Sequence, residues 1–130
     1  MDPTSLARRF RASAEEVGRA RREATAFARE RGVVDPDAVA LALSEAISNV
    51  VLHAYVDDPE PGDVELFARS LPEDGLMIAV CDDGRGMTPR PDSPGLGLGL
   101  PLLAALTERF EVQSRPGGGT RLCLFFATAA

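Results

Sequence analysis

The chain has 130 residues, of which 45% are hydrophobic and 26% charged, a composition typical of one soluble globular domain. Its net charge of −6 argues against broad non-specific binding to nucleic acid or to acidic membranes. No apolar run approaches the about 18 residues that a membrane span needs, and the first residues lack a signal-peptide pattern, so we expect a cytoplasmic protein.

The first predicted elements are rich in arginine. Residues 6–12 could form a short strand or the beginning of a helix, because the alternation of apolar and polar side chains is too brief to distinguish the two. Ser13, followed by two glutamates, predicts the N-cap of a helix that runs to about Arg31 and stops at Gly32. The arginines of residues 5–31 form either a solvated face or a surface that binds a partner.

A second helix is predicted over residues 35–55, with Asp35 as its cap and Pro36 in its first turn. Apolar residues occupy most of its circumference, including Leu41 opposite the main hydrophobic face, so we expect it to be covered nearly all round. A polar stripe at i, i+4 and i+8 consists of Glu45, Asn49 and His53. The stripe is either a hydrogen-bonded seam against neighbouring strands or a ligand or metal site, because buried polar groups need partners.

The rest of the chain predicts strands and one more helix. Four strands, the first two forming an antiparallel hairpin, are predicted over residues 63–70, 76–81, 110–114 and 120–126. A third helix is predicted over residues 100–108, with Pro101 tolerated in its first turn. The order of elements predicts an α+β fold in a single domain over residues 1–130. We expect a two-layer α/β sandwich, with the helices on one face of a mixed, mostly antiparallel sheet.

The two cysteines, Cys81 and Cys123, lie in apolar runs without CxxC spacing, and His53 is the only histidine. This pattern is typical of small hydrophobic side chains in a reducing compartment rather than of a disulfide or a metal site. We therefore expect both thiols to be buried.

Two glycine-rich segments follow the strand that ends at Cys81. In the first, Asp82 precedes Gly84 and Gly86, so the backbone can pass close to a flat ligand while the carboxylate accepts a hydrogen bond from an exocyclic amine. The second segment contains Gly95, Gly97 and Gly99. Glycines ahead of a helix expose amide groups and the positive end of the helix dipole, which suits phosphates. Neither segment is a P-loop or a Rossmann fingerprint.

Taken in order, ExxxN on a helix, DxGxG after a strand and GxGxG before a helix resemble the histidine-kinase-like ATPase domain, the GHKL or Bergerat fold shared by gyrase and the sensor kinases. Within this superfamily the chain is most similar to the small bacterial anti-sigma factor kinases. The resemblance extends over nearly the whole chain, through ALSEAISNVVLHAY, VCDDGRGM, GLGLGLPLL and GGGTRLCLFF. It implies the Bergerat fold, with a nucleotide loop and lid over residues 82–99.

The resemblance also implies ATP and Mg²⁺ as cofactors and gives roles to the matching residues. Glu45 matches the general base, and Asn49 matches the asparagine whose side-chain oxygen binds Mg²⁺. Asp82 matches the acid that recognises the adenine amino group, and Gly84 and Gly86 make room for the base.

The lid and the adenine side complete the implied site. The glycines that fall where the lid wraps the triphosphate are Gly95, Gly97 and Gly99. Thr120 matches a threonine that supports the hydrogen bonds beside the adenine, although a β-branched residue also simply favours a strand. Arg85 and Arg90 are the basic residues of the lid region, and either could contact phosphate or remain solvated.

The function implied by the resemblance is that of an anti-sigma factor that transfers phosphate from ATP to a serine or threonine of a STAS-type antagonist. The same protein, as a homodimer, would sequester a sigma factor, and its arginine-rich first helix would contact these partners. Direct binding of nucleic acid or membrane is not implied. Two alternatives stay open: an ATP-dependent protein-binding switch of the same fold without significant kinase activity, and an ATPase module that serves another machine.

Overall fold

The structure is a computed structural model, which describes residues 5–49, 62–71, 75–82, 96–116 and 119–129. Its elements in chain order are β1 (Ser5–Arg11), α1 (Ala14–Glu30), α2 (Pro36–Asn49), β2 (Asp63–Leu71), β3 (Gly75–Asp82), α3 (Leu96–Leu106), β4 (Arg109–Ser114) and β5 (Thr120–Ala127). Within these ranges, none of the helices has the length and apolar character to cross a membrane.

The five strands form one sheet in the order β1-β2-β3-β5-β4. Every neighbouring pair among these described strands is antiparallel, where we expected a mixed, mostly antiparallel sheet. The predicted hairpin is confirmed as β2 and β3, with Val64 opposite Asp82 at one end. Residues 6–12, for which the sequence left strand and helix open, contribute to the edge strand β1. Its backbone pairs with β2 from Ser5 opposite Arg69 to Arg11 opposite Asp63.

The helices pack on one face of the sheet, as predicted for a two-layer sandwich. All three helices and alternate positions of the strands contribute side chains to one hydrophobic cluster. Its fully buried members include Leu43, Ile47, Leu66, Ile78, Leu103, Leu122 and Leu124. Burial of one such side chain stabilises the fold by roughly 1.5–3 kcal/mol, so this layer of contacts holds the helices against the sheet.

Local capping signals set both ends of α1 and the start of α2 where the sequence predicted them. The Ser13 hydroxyl accepts a hydrogen bond from the Glu16 amide at 3.4 Å, and α1 ends before Gly32, whose φ is 79°. The Asp35 carboxylate accepts one from the Ala38 amide at 3.2 Å at the start of α2. The last part of the predicted second helix, after Asn49, lies outside the described residues.

The third helix differs from its prediction at both ends. It begins at Leu96 instead of residue 100, because glycine propensity is a weak signal that tertiary context overrides. Pro101 therefore lies beyond the first turn and leaves the Gly97 carbonyl without its helical partner. The helix ends at Leu106 instead of residue 108, because the Glu108 amide donates to the Phe125 carbonyl of β5 at 2.8 Å and joins the sheet.

The expected burial of α2 all round is wrong at Leu41, which is 49% exposed. In a two-layer fold the helices are covered only on the side that faces the sheet and the neighbouring helices. The outer side of α2 therefore remains open to solvent in the described part of the chain.

The sheet face opposite the helices carries a second, smaller apolar cluster. Its members are Met77, Ala79, Cys81 and Cys123, with the partly buried Phe67, Leu71 and Phe125 packed against them. Both cysteines are free and buried, so their expected burial is confirmed. Burial raises the pKa of the Cys81 thiol, which therefore stays protonated at neutral pH and behaves as a small hydrophobic side chain.

Candidate functional site

The strand register places several junctions of the chain at one end of the sandwich. Arg11 at the end of β1 lies opposite Asp63 at the start of β2, and Val64 lies opposite Asp82 at the end of β3. The Ala12 amide, just after β1, donates to the Gly62 carbonyl at 2.9 Å. The junction between β1 and α1 is therefore at the same end of the sheet as Asp82, and we call this end the Asp82 end.

The last turn of α2 also lies at the Asp82 end. The helix α2 begins at the opposite end of the sheet. Just before it, the Val34 amide donates to the carbonyl of Ala127, the last residue of β5, at 3.0 Å, and both residues line a cavity of about 370 Å³. A second cavity, of about 510 Å³, is lined by Ala12, Ala14, Val17, Gly18, Arg21, Ile47 and Ser48. Ile47 and Ser48 of α2 therefore lie near the junction of β1 and α1, which is at the Asp82 end. Asn49, the next residue, lies at this end as well.

Glu45 and Asn49 are one helical turn apart on α2 and therefore share a face of the helix. Asn49 is 3% exposed, and its Nδ2 atom has no hydrogen-bond partner among the described residues. A buried donor left unsatisfied costs about 1–3 kcal/mol, so a bound ligand with an acceptor atom could complete the hydrogen bonding of Asn49 Nδ2. Glu45 is half-buried on the same face, whereas His53, the third residue of the stripe, lies outside the described residues.

Asp82 and Thr120 face the helices from adjoining strands. Cys81 lies opposite Arg121, so the next position along β3 places Asp82 beside Thr120. Side chains alternate along a strand, so both residues share the inward direction of Val80, which is fully buried in the core. Asp82 is 1% exposed and Thr120 is 4% exposed. A buried carboxylate is costly unless polar groups or a ligand form hydrogen bonds with it. Burial of this kind is typical of a binding position.

The first turn of α3 lies at the Asp82 end as well. The C-terminal end of α3 is at the opposite end, where Ala105 and Leu106 line the cavity that includes Ala127. Gly97 and Gly99 lie in the first turn of the helix, which has eleven residues and is about 16 Å long. The amides of a first turn have no helical partner and form the positive end of the dipole, which suits an anion such as a phosphate.

Four predicted site residues therefore lie toward one end of the fold, where α3 also begins, with Gly97 and Gly99 in its first turn. These four residues are Glu45, Asn49, Asp82 and Thr120. The predicted positions that lie outside the described residues are Gly84, Gly86 and Gly95, together with Arg85 and Arg90.

The donor set fits Mg²⁺ bound through phosphates better than it fits a metal cage built from protein. The described ranges contain no group of three or more His, Cys, Asp or Glu side chains arranged to hold a metal ion. Mg²⁺ keeps several waters and is commonly bound by one or two protein oxygens plus substrate phosphates. The side-chain oxygen of the buried Asn49, at the same end of the fold as a helix N-terminus that suits phosphates, is compatible with that kind of site.

One residue at this end was not predicted from the sequence. Arg115 Nη1 donates to the Asp82 carbonyl at 2.9 Å, and its Nη2 donates to Glu65 Oε1 at 3.2 Å. These contacts join residues 33 and 50 positions apart. An arginine at the start of a glycine-rich turn gives no local signal of such contacts.

Comparison with known proteins supports the fold and places the chain among its relatives. An anti-sigma F factor from Clostridium acetobutylicum is 29% identical, over 89% of this chain and 88% of that protein. An anti-sigma F factor from Clostridium beijerinckii is 32% identical, over 66% of each chain.

Two solved structures share the fold at low sequence identity. The RsbU and RsbW domains of a Mycobacterium tuberculosis protein match with a TM-score of 0.69 at 22% identity, over 97% of this chain and 33% of that chain. This chain thus spans about a third of that protein. The mycobacterial sensor histidine kinase MprB matches with a TM-score of 0.59 at 17% identity, over 93% and 98% of the two chains.

The resemblance found in the sequence motifs is confirmed by a family model. This family model describes the histidine kinase-like ATPase domain, and it matches residues 10–126 of the chain. The matched range includes Glu45, Asn49, Asp82 and Thr120. The chain therefore belongs to the histidine kinase-like ATPase domain family.

Proposed function

We propose that the chain is an ATP-binding anti-sigma factor with serine/threonine protein kinase activity, which sequesters a sigma factor and phosphorylates a STAS-type antagonist. The observation that carries the proposal is the placement of Glu45, Asn49, Asp82 and Thr120 at one end of the sandwich. The anti-sigma F factors among the relatives support the choice of partner, because one of them aligns over 89% of this chain.

The adenine end of the proposed site is formed by the strands. The Asp82 carboxylate would accept a hydrogen bond from the adenine amino group, and its burial would strengthen that bond by excluding water. Thr120, on the adjoining strand, would support the bonds on this side of the base. Gly84 and Gly86 are assigned the positions where the backbone passes close to the ring.

The phosphate end is formed by the helices. Mg²⁺, when bound, neutralises negative charge on the phosphates, and the Asn49 side-chain oxygen would be its protein ligand. The first-turn amides of α3 would donate to phosphate oxygens. Gly95, Gly97 and Gly99 are assigned to this lid, where the absence of side chains lets the backbone approach the phosphates.

Glu45 would act as the general base for transfer. Its carboxylate lies one helical turn before Asn49, so it can accept a proton close to the metal-bound phosphates. A serine or threonine oxygen of the partner forms a bond to the γ-phosphorus, the bond to the leaving ADP breaks, and the hydroxyl proton moves to the Glu45 carboxylate. The rest of the site positions the reactants and neutralises charge.

The arginines of α1 form a surface that suits an acidic partner. A groove of about 370 Å³ is lined by Arg21, Arg22, Thr25, Arg29 and Ala40. Arg22 and Arg29 are exposed, whereas Arg21 donates to the Ser44 hydroxyl of α2 at 3.0 Å. We assign this groove to the sigma factor or the antagonist, because the net charge of −6 disfavours direct nucleic-acid binding. This function places the protein in the cytoplasm, in keeping with its two free cysteines.

The proposed homodimer would form through the sheet face opposite the helices. In the described part of the chain, the cluster around Phe67, Cys81 and Phe125 contains only strand residues, and no helix contributes to it. Charged pairs lie on both sides of the apolar centre, Arg9 of β1 with Glu65 at 3.1 Å and Arg109 of β4 with Glu111 at 2.6 Å. An apolar centre with a charged rim is the usual anatomy of a protein interface.

Phe67→Glu is expected to convert a dimer into a monomer, because it would bury a carboxylate in the centre of the interface. Sedimentation velocity at micromolar protein concentration measures this change directly. The matched control is Val112→Glu, which replaces a 46% exposed residue of β4 and should leave the mass unchanged. A wild-type protein that sediments as a monomer, or a dimeric Phe67→Glu variant, would contradict this interface.

Phosphate transfer is tested with purified protein, Mg²⁺, ATP and a STAS-domain protein from the same genome. Mass spectrometry should find phosphate on a serine or threonine of the STAS protein, and gel filtration should find a complex with a sigma factor. A complex that needs ATP but yields no phosphorylated residue would favour the protein-binding switch instead. ATP hydrolysis without either partner interaction would favour the ATPase module.

A further inference from the structure

The side chain of Arg115 contacts two neighbouring strands at the Asp82 end. Its guanidinium donates to the Asp82 carbonyl of β3 at 2.9 Å and to the Glu65 carboxylate of β2 at 3.2 Å. The side chains of Arg115 and Glu65 are only 27% and 21% exposed, so solvent screens their attraction less than it does for a fully exposed pair. The planar guanidinium thus connects a carboxylate and a backbone carbonyl at the same time.

Glu65 is itself held from a second side. Arg9 Nη1 of β1 donates to the same Oε1 atom at 3.1 Å. Glu65 lies opposite Cys81 in the β2–β3 register, one residue before Asp82. The carboxylate that orients Arg115 is therefore fixed in the sheet beside the strand end that the arginine contacts.

The backbone of Arg115 belongs to the turn that leads into β5. Its amide donates to the Gly119 carbonyl at 3.0 Å, which closes the turn, and Gly119 has a φ of 89°, a conformation that favours glycine. Ser114 lies opposite Thr120 in the β4–β5 register. One residue therefore ties the turn before Thr120 to the end of β3.

We propose that Arg115, oriented by Glu65, is a positioning residue that fixes the backbone of Asp82 and thereby the direction in which its carboxylate meets the adenine amino group. This inference rests on the proposed ATP-binding function. The last residue of a strand moves readily unless its carbonyl is held, and a small shift of Asp82 misaligns its carboxylate. A lysine at position 115 keeps the charge but lacks the planar fork needed to reach both acceptors, so Arg115→Lys should restore little of the effect.

The first test needs no nucleotide. Hydrogen exchange of the nucleotide-free protein, read by mass spectrometry, should be roughly tenfold faster at residues 80–82 and 119–121 in Arg115→Gln than in the wild type, because the bond from the guanidinium to the Asp82 carbonyl ties the end of β3 to the turn before β5. The matched control is Arg19→Gln on α1, because the Arg19 side chain is 59% exposed and pairs only loosely with Glu15 at 3.8 Å. The control should leave exchange at both segments unchanged.

The second test measures the choice of base. Calorimetry should show about tenfold weaker ATP binding by Arg115→Gln, the equivalent of one hydrogen bond to a charged group. The preference for ATP over inosine triphosphate, which lacks the amino group, should fall as well. A purely structural weakening would lower the affinity for both nucleotides by the same factor and leave the preference intact.

The outcomes separate the inference from the function on which it rests. Exchange and base preference of Arg115→Gln that equal those of Arg19→Gln would overturn the positioning role, even if the wild type binds ATP. If exchange is faster in Arg115→Gln but the wild type does not bind ATP, the proposed function is overturned. The same result would still support the conclusion that Arg115 fixes the backbone of Asp82. Faster exchange together with a reduced base preference supports both.

Discussion

Asp82→Asn is expected to weaken ATP binding by roughly 100-fold, because the loss of one hydrogen bond to a buried charged acceptor costs about 1.5–3 kcal/mol. The amide has the same shape as the carboxylate, so the variant should fold with its strand pairing intact. It differs in charge, and it replaces one of the two acceptor oxygens of the carboxylate with a donor. Titration calorimetry with Mg²⁺ and ATP measures the change.

The matched control for this variant is Asp63→Asn. Asp63 lies at the same end of the sheet but forms an exposed ion pair with Arg9 at 3.2 Å. Such pairs contribute about 0–1 kcal/mol to stability, so the control should bind ATP as the wild type does. Equal ATP affinities for Asp82→Asn and Asp63→Asn would show that Asp82 does not contact the base.

Glu45→Gln is expected to retain ATP binding while phosphate transfer to the partner falls by about 10²–10⁴-fold, the usual contribution of a general base. The glutamine keeps the size and polarity of the side chain but cannot take up the hydroxyl proton. Single-turnover transfer to the STAS protein measures the rate, and calorimetry measures the affinity. Glu30→Gln, at the end of α1, is the matched control and should transfer phosphate at the wild-type rate.

Asn49→Ala should give the reverse pattern to Glu45→Gln. Loss of the amide oxygen would weaken binding of ATP in the presence of Mg²⁺ and have little effect on binding without it, because the oxygen acts through the metal. A normal transfer rate in Glu45→Gln would show that another group accepts the proton. Unchanged Mg²⁺ dependence in Asn49→Ala would remove Asn49 as the metal ligand.

Much of the fold could be predicted because its signals are local. The Ser13 cap, the Gly32 stop and the Asp35 cap each act within a few residues, and the structure has all three. The third helix could not be placed correctly from the sequence. Alternating glycine and leucine indicate a loop by propensity, and the end of the helix depends on a bond from Glu108 to a strand far along the chain.

The candidate site shows the same division between local and distant information. Asn49 and Asp82 could be named from ordered motifs, and the family resemblance added Thr120. The burial of all three agrees with a role at a shared end of the fold. Arg115 could not be named, because its partners are 33 and 50 positions away and are brought to it by the register of the sheet. The exposure of Leu41 was missed for a similar reason, since it depends on how many layers cover α2.

The most direct test of the central claim, that the Asp82 end binds Mg²⁺ and ATP, is titration calorimetry of the wild-type protein with ATP in Mg²⁺ and again in a chelator. The account predicts saturable binding in Mg²⁺, with one nucleotide per chain, and much weaker binding in the chelator. Absence of binding in both conditions would contradict it, because the buried Asn49 and Asp82 would then have a structural role alone.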